Sequence, residues 1–224
     1  MHCLIQARIS STRLPGKVLK KIEGKEMLYH LITNLKKSKI LKKIFVLTSN
    51  SIEDDKICNF CKKHNINFFR GPLQNTFLRF CSFLKKNDTK NFIRLSADSP
   101  LLNYKLVDAM ILSSKKKNYD IFTNIFPRTF PKGQSIEIIK TKSFLSIKNN
   151  FLNNEEKEHL TKYFYNNPLK FNIYNYRNNI NYSNYNLSVD TENDFKIVKK
   201  IFQRKQNEVI ELKELIRIYK NITK

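Results

Sequence analysis

Short apolar runs that alternate with helically spaced apolar residues set the tightest limit on how this chain can fold. The runs are Cys3 to Ala7, Ile44 to Thr48, Phe92 to Leu95 and Asp120 to Thr123. Between them Met27, Leu28, Leu31, Ile32 and Leu35 recur at helical spacing, as do Ile57, Phe60 and Cys61, then Phe77, Phe80, Cys81 and Leu84, and later Val107, Met110 and Ile111. A short apolar run fills a strand buried on both faces, whereas a helical period gives one buried stripe. The alternation predicts βαβ units, and so a largely parallel sheet with helices on both faces. The second half is less regular. Strands are expected at Ile136 to Ile139, Phe171 to Tyr176 and Leu187 to Val189, with helices around Thr141 to Lys148, from Glu155 to Tyr165, and from Asn193 onward. The Asn- and Tyr-rich stretch Asn178 to Asn186 reads as a loop or irregular edge segment rather than a domain linker. With 224 residues and 41% hydrophobic content, one domain over residues 1–224 can close such a core.

The chain carries 42 Lys and Arg against 19 Asp and Glu, a formal charge of +23, which suits a phosphate-rich ligand or partner. Most basic residues are Lys dispersed among Asn, Ile and Phe, as at Lys36, Lys37, Lys39, Lys42 and Lys43 or in the run Lys115, Lys116, Lys117. Dispersed lysines read as solvated helix faces and loops, so no specific nucleic-acid partner is expected. Four cysteines, Cys3, Cys58, Cys61 and Cys81, do not make a disulfide framework at this length. Cys58 and Cys61 form a C-x-x-C with no second Cys or His pair at zinc spacing, and both are expected on the core face of a helix. Met1 to Ala7 is too short for a signal peptide, and no apolar run is long enough to span a bilayer. A reduced, cytoplasmic setting without membrane insertion is expected.

In an open α/β sheet ligands gather at the carboxyl ends of the strands. The loop after the first run reads Gln6-Ala7-Arg8-Ile9-Ser10-Ser11-Thr12-Arg13-Leu14-Pro15-Gly16-Lys17. Two Arg, one Lys and three hydroxyls on one turn can neutralise a triphosphate, Arg as a fork and Lys as a point charge. The glycines of a Walker A loop or a G-x-G-x-x-G are missing. After the third run comes Arg94-Leu95-Ser96-Ala97-Asp98-Ser99-Pro100-Leu101. Asp98 there can hold Mg²⁺ against phosphate oxygens or cap the helix starting near Tyr104, and spacing alone leaves both open. A second aspartate, Asp190, closes Leu187-Ser188-Val189-Asp190-Thr191 just before a helix, where a cap or turn role competes with a metal role.

Taken together, IQARISSTRLPGK, RLSADSPLL and LSVDTENDF resemble, in order and spacing, the cytidylyltransferase family that includes the SpsF-type spore-coat polysaccharide proteins and the CMP-Kdo and CMP-sialate synthetases. FPRTFPKGQSIEII and EKEHLTKYFYNNP extend the likeness, which runs from Met1 to about Phe202. The resemblance implies an α/β, Rossmann-like three-layer αβα nucleotide-diphosphosugar transferase fold with a mostly parallel mixed sheet. It also implies transfer of CMP from CTP to an acidic sugar of nonulosonate or Kdo type for surface polysaccharide, with release of pyrophosphate, Mg²⁺ as cofactor and a homodimer. By the same likeness Arg8, Arg13 and Lys17 grip the triphosphate, with Ala7, Ser11, Thr12, Arg94, Ala97 and Asp98 also around the nucleotide. Asp98 and Asp190 hold the metal, and catalysis falls to Arg8, Lys17, Asp98 and Asp190. Arg128, Gln134, Ser135, Glu137, His159 and Tyr163 line the sugar side.

Plain readings stand beside these roles: Arg128 as a surface cation, Glu137 as a strand residue facing water, and His159 with Tyr163 as a core pair one helical turn apart. The chain departs from the family pattern at Gln134-Ser135, usually Leu-Asp, at Asn75-Thr76, in place of Asp-Val, and at Ser99, commonly Cys. A carboxylate missing at Ser135 removes a hydrogen-bond acceptor for substrate hydroxyls or amines, so the acceptor can differ from that of typical relatives. A sugar or polyol phosphate is the alternative acceptor, an inactive relative that still binds nucleotide is another reading, and a basic nucleic-acid-binding module is the reading outside enzymes. On the favoured reading, a gel shift with duplex DNA shows only weak, sequence-indifferent binding that is lost by physiological ionic strength; retention there would favour the nucleic-acid module instead.

Overall fold

A computed structural model of the chain describes residues 1–204 and 210–223. The part of the expected closing helices over residues 205–209 lies outside the described residues. The central sheet has seven strands: β1 (His2–Gln6), β4 (Lys43–Ser49), β5 (Asn67–Gly71), β6 (Asn91–Ser96), β7 (Ile121–Thr123), β8 (Glu137–Lys140) and β9 (Ile173–Asn175). Their order is β5-β4-β1-β6-β8-β7-β9. Strands β5, β4, β1 and β6 pair in parallel, β8 runs antiparallel to both β6 and β7, and β9 pairs in parallel with β7. A small hairpin of β2 (Lys21–Ile22) and β3 (Lys25–Glu26) stands apart, turning through Glu23 and Gly24 with φ of 47° and 75°.

Alternation along β1 shows how the layers form. Cys3 and Ile5 point to one side and join α1 (Met27–Leu35), α2 (Asp55–Lys63) and α4 (Tyr104–Ser114) in one apolar cluster. Leu4 points to the other side and joins α3 (Thr76–Lys86), α5 (Thr141–Leu145) and α7 (Lys162–Asn166) in a second. Side chains alternate with a period of two along a strand, so helices must cover both faces of this sheet. A third cluster gathers Leu14, Leu101, Leu187 and Val189 against α8 (Glu192–Arg204) and α9 (Leu212–Thr223). Cys58 and Cys61 lie buried on α2, where burial pushes the Cys61 thiol up to about 12. Among the described residues no helix is long and apolar enough to cross a membrane.

Three expectations need correction. The apolar stretch Leu187 to Val189 is not a sheet strand. It is an extended segment whose Leu187 N–H donates to Lys132 O at 2.8 Å and whose Val189 N–H donates to Asp98 O at 2.9 Å, and its burial comes from the third cluster. The helix expected over Glu155 to Tyr165 is two short helices, α6 (Asn154–Glu158) and α7, parted at His159 to Thr161. The helix expected over Thr141 to Lys148 ends at Leu145.

Gly133 fixes where the Leu187 segment lies. Its φ is +86°, and a Cβ there would stand 2.5 Å from the Leu187 carbonyl carbon and 2.6 Å from the Ser188 nitrogen. Only glycine has both the conformation and the clearance. Gly133→Ala is therefore expected to destabilise the protein by more than about 1 kcal/mol in urea unfolding; an unchanged midpoint would show that the two segments can part without loss.

Candidate active site

Strands β1 and β6 are neighbours, so the loops that leave them start side by side at the carboxyl edge of the sheet. The Ala97 N–H donates to Gln6 O at 3.0 Å and carries the pairing one step beyond the strands. The chain crosses from β1 to β4 on one side and returns to β6 on the other, which makes this the topological switch point of the sheet. A cavity of about 460 Å³ opens here, a volume suited to a small ligand.

The basic loop forms one wall. Ala7, Arg8, Ser11, Thr12, Arg13 and Lys17 all line the cavity, and Arg94 on β6 lines it together with Ala97 and Asp98 in the turn that follows. Lys17 reaches across with its Nζ 2.7 Å from Asp190 Oδ1 and 3.6 Å from Asp98 Oδ2, its side chain only 12% exposed. The two aspartates thus converge on one cation that belongs to the basic turn itself. Arg13 adds a second contact to Asp190 at 3.2 Å, but its side chain is 65% exposed and the pair contributes little beside Lys17. Neither aspartate caps its helix. Asn103 caps α4 by accepting from the Lys105 N–H, and Thr191 with Asp194 forms a reciprocal box at the start of α8. Asp194 also accepts from the Asp190 and Thr191 N–H groups, which leaves the Asp190 carboxylate turned to Lys17.

The acceptor side holds fewer of the expected residues. Arg128, Ser135 and His159 line the cavity; Gln134, Glu137 and Tyr163 do not. Gln134 is 1% exposed and serves the scaffold, donating from Nε2 to Leu101 O at 2.8 Å while its Oε1 accepts from the Asn103 N–H at 3.3 Å. Glu137 lies one layer below. It pairs with Arg94 at 2.9 Å and accepts from the Tyr165 hydroxyl at 2.5 Å, so it faces neither water nor ligand. Burial first, then the Glu137 charge, pushes the Tyr165 phenol far above its usual range, so it stays a donor. Tyr163, on α7, packs edge-on against Phe171 and is separated from His159 by the helix break. Arg128 Nη1 donates to Ser135 Oγ at 3.0 Å; burial lowers its pKa, and Glu137 below partly offsets that. Asn75 caps α3 through the Leu78 N–H and has no part in the cavity.

Sequence reasoning missed Glu158, Lys132, Gly133 and Ser188 in the lining. Glu158 pairs with Arg8 at 2.5 Å, across 150 residues of chain. Helical periodicity hid it, because the signal that turns Glu158 and His159 to the cavity is the break after α6. Lys132 could have been found from its place before a glycine in FPKGQS. Among the described residues no group of three or more His, Cys, Asp or Glu could enclose a metal. A cation already bridges Asp98 and Asp190, so the place between them accepts positive charge, and two carboxylates are the usual protein share for Mg²⁺ bound to phosphates.

A family model described as cytidylyltransferase matches residues 2–221. The spore coat polysaccharide biosynthesis protein SpsF of Bacillus subtilis is 28% identical over 208 residues, covering 90% of this chain and 85% of SpsF. Among solved structures, a cytidylyltransferase from Leptospira borgpetersenii serovar Hardjo-bovis superposes with a TM-score of 0.92 at 30% identity, covering 99% of this chain and 94% of the other. A CMP:2-keto-3-deoxy-manno-octonic acid synthetase in complex with CTP superposes at a TM-score of 0.67 and 15% identity, covering 90% and 98%, a likeness of fold alone.

Burial alone would raise the Asp190 carboxyl, but the Lys17 hydrogen bond and charge, then Arg13 and Lys132, outweigh it and hold the group below the ordinary aspartate range. A depressed folded value means that the pairing stabilises fully above the ordinary aspartate pKa and is lost as pH falls through the lowered one. Lys17→Met is expected to raise the Asp190 titration midpoint in carboxyl-detected NMR, with no such rise if Lys17 is not its dominant partner.

Proposed function

The chain belongs to the cytidylyltransferase family, and from that premise we propose that it transfers the CMP part of CTP to an acidic sugar of nonulosonate or Kdo type, releasing pyrophosphate for surface polysaccharide synthesis. The observation that carries this reading is the convergence of Asp98 and Asp190 on the Lys17 ammonium of the turn that also bears Arg8 and Arg13. Such a transfer forms a bond from an acceptor oxygen to the α-phosphorus and breaks the bond to the β-phosphate oxygen. Positioning and charge neutralisation do most of the work in reactions of this kind.

Arg8, Arg13 and Lys17 bind and orient the triphosphate, while the backbone at Ala7 and Ala97 gives the nucleotide a close floor. Asp98 and Asp190 would hold Mg²⁺, which supplies Lewis-acid neutralisation of the phosphate oxygens. Arg128 serves the acceptor. Ser135 offers it a neutral oxygen only, so the guanidinium keeps its charge for an acceptor anion. The spore-coat relative and the CTP-bound neighbour support the polysaccharide setting and the choice of nucleotide.

With CTP, Mg²⁺ and a panel of acceptors, pyrophosphate release is expected with sugar acids, and Asp98→Asn is expected to lower it by at least ~100-fold, the scale of losing one preorganised charge-stabilising group. Activity that survives Asp98→Asn would refute the metal role. A preference for sugar or polyol phosphates would refute the acidic-sugar acceptor, and calorimetry favouring UTP, GTP or ATP over CTP would refute the nucleotide.

A further inference from the structure

We infer that Asp54, which lies outside the cavity lining, is a positioning residue that sets the phosphate-binding geometry of the basic loop. The inference rests on the reading above that this loop holds the CTP triphosphate. Asp54 follows β4 and is 1% exposed. Its Oδ1 accepts from the Ile9 N–H at 2.7 Å; its Oδ2 accepts from the Ser49 N–H at 3.0 Å and the Ser49 hydroxyl at 2.5 Å. The bond to Ile9 fixes the peptide that joins it to Arg8. The same residue's carbonyl accepts from the Gly16 N–H at 3.0 Å, so the tether passes across the loop to the residue before Lys17. One buried carboxylate thereby orients both ends of the basic turn, and a bond between an ionised acceptor and backbone N–H groups is strong enough to do so.

A carboxylate beneath an anion site is an unfavourable choice unless its charge is balanced. Arg79 balances it. This arginine on α3 is 0% exposed, and its guanidinium donates to the carbonyl oxygens of Leu47, Pro72 and Leu73. Burial pulls its pKa down to about 10, with Asp54 acting to raise it and Arg8 to lower it. It is therefore a buried cation at neutral pH, and the Asp54 charge favours it. The Asp54 carboxyl is held below the ordinary range despite its burial, through Ser49 and the Ile9 amide.

Calorimetric titration of the full chain with CTP and with CMP separates this role from simple structural support. Wild type should bind CTP more tightly than CMP, because the loop holds the additional phosphates. Asp54→Ala should weaken CTP binding by at least about tenfold, the scale of losing one charge-assisted bond, while CMP binding changes by much less. Ser49→Ala, which removes one of the three hydrogen bonds to the carboxylate and leaves Arg79 balanced, should show the same phosphate-selective loss in smaller measure and covers the case in which Asp54→Ala does not fold. Equal losses for CTP and CMP, or none, in whichever variant is folded would overturn the positioning role. No preference for CTP over CMP in the wild type would overturn the triphosphate reading of the loop, and this inference with it.

Discussion

Strands β1 and β6 leave the sheet next to each other, and the placing of the basic loop beside Asp98 follows from that adjacency. Parallel pairing aligns His2 with Phe92 and Gln6 with Ser96, so the basic loop and the Asp98 loop begin at the same height. A parallel sheet buried on both faces cannot shift register without exposing its core. The relative height of cations and carboxylates is therefore inherited from apolar packing, and the polar groups have only to reach the last few ångströms.

Those last distances are set in part by polar groups that hold the lining side chains. Arg94 at the floor is held by Glu137 and by Gln6 Oε1 at 3.0 Å, and Glu137 is held in turn by Tyr165. Buried polar groups are costly unless satisfied, and here each bond that satisfies one group also aims the next. Gln134 illustrates the division of labour with its neighbour. Its amide can donate and accept at once, which suits it to joining the Leu101 carbonyl and the Asn103 amide, while Ser135 alone turns to Arg128.

The sheet centre was legible because β1, β4 and β6 are long enough apolar runs to stand out. Strand β5 was not: Asn67–Gly71 sits at the sheet edge with only Gly71 buried, and an edge strand half open to solvent lacks a continuous apolar signature. The opposite error occurred at Leu187 to Val189, where burial against α8 mimics a strand. Lys17, Asp98 and Asp190 were legible as three motifs because each closes or follows an apolar run. Glu158 and the scaffold role of Gln134 were not, since both depend on contacts across long stretches of chain that no local pattern encodes.

The ion pair between Arg8 and Glu158 joins opposite walls of the cavity, and its side chains are 35% and 43% exposed. At that exposure such a pair is worth only about 0–1 kcal/mol, so an incoming anion that forks onto Arg8 can break it at little cost. Once it is broken, the short helix α6 loses its clasp on the basic loop, and Glu158, now without its cation, repels the newcomer's negative charge. An anion that takes Arg8 must therefore first displace a carboxylate that already sits on it.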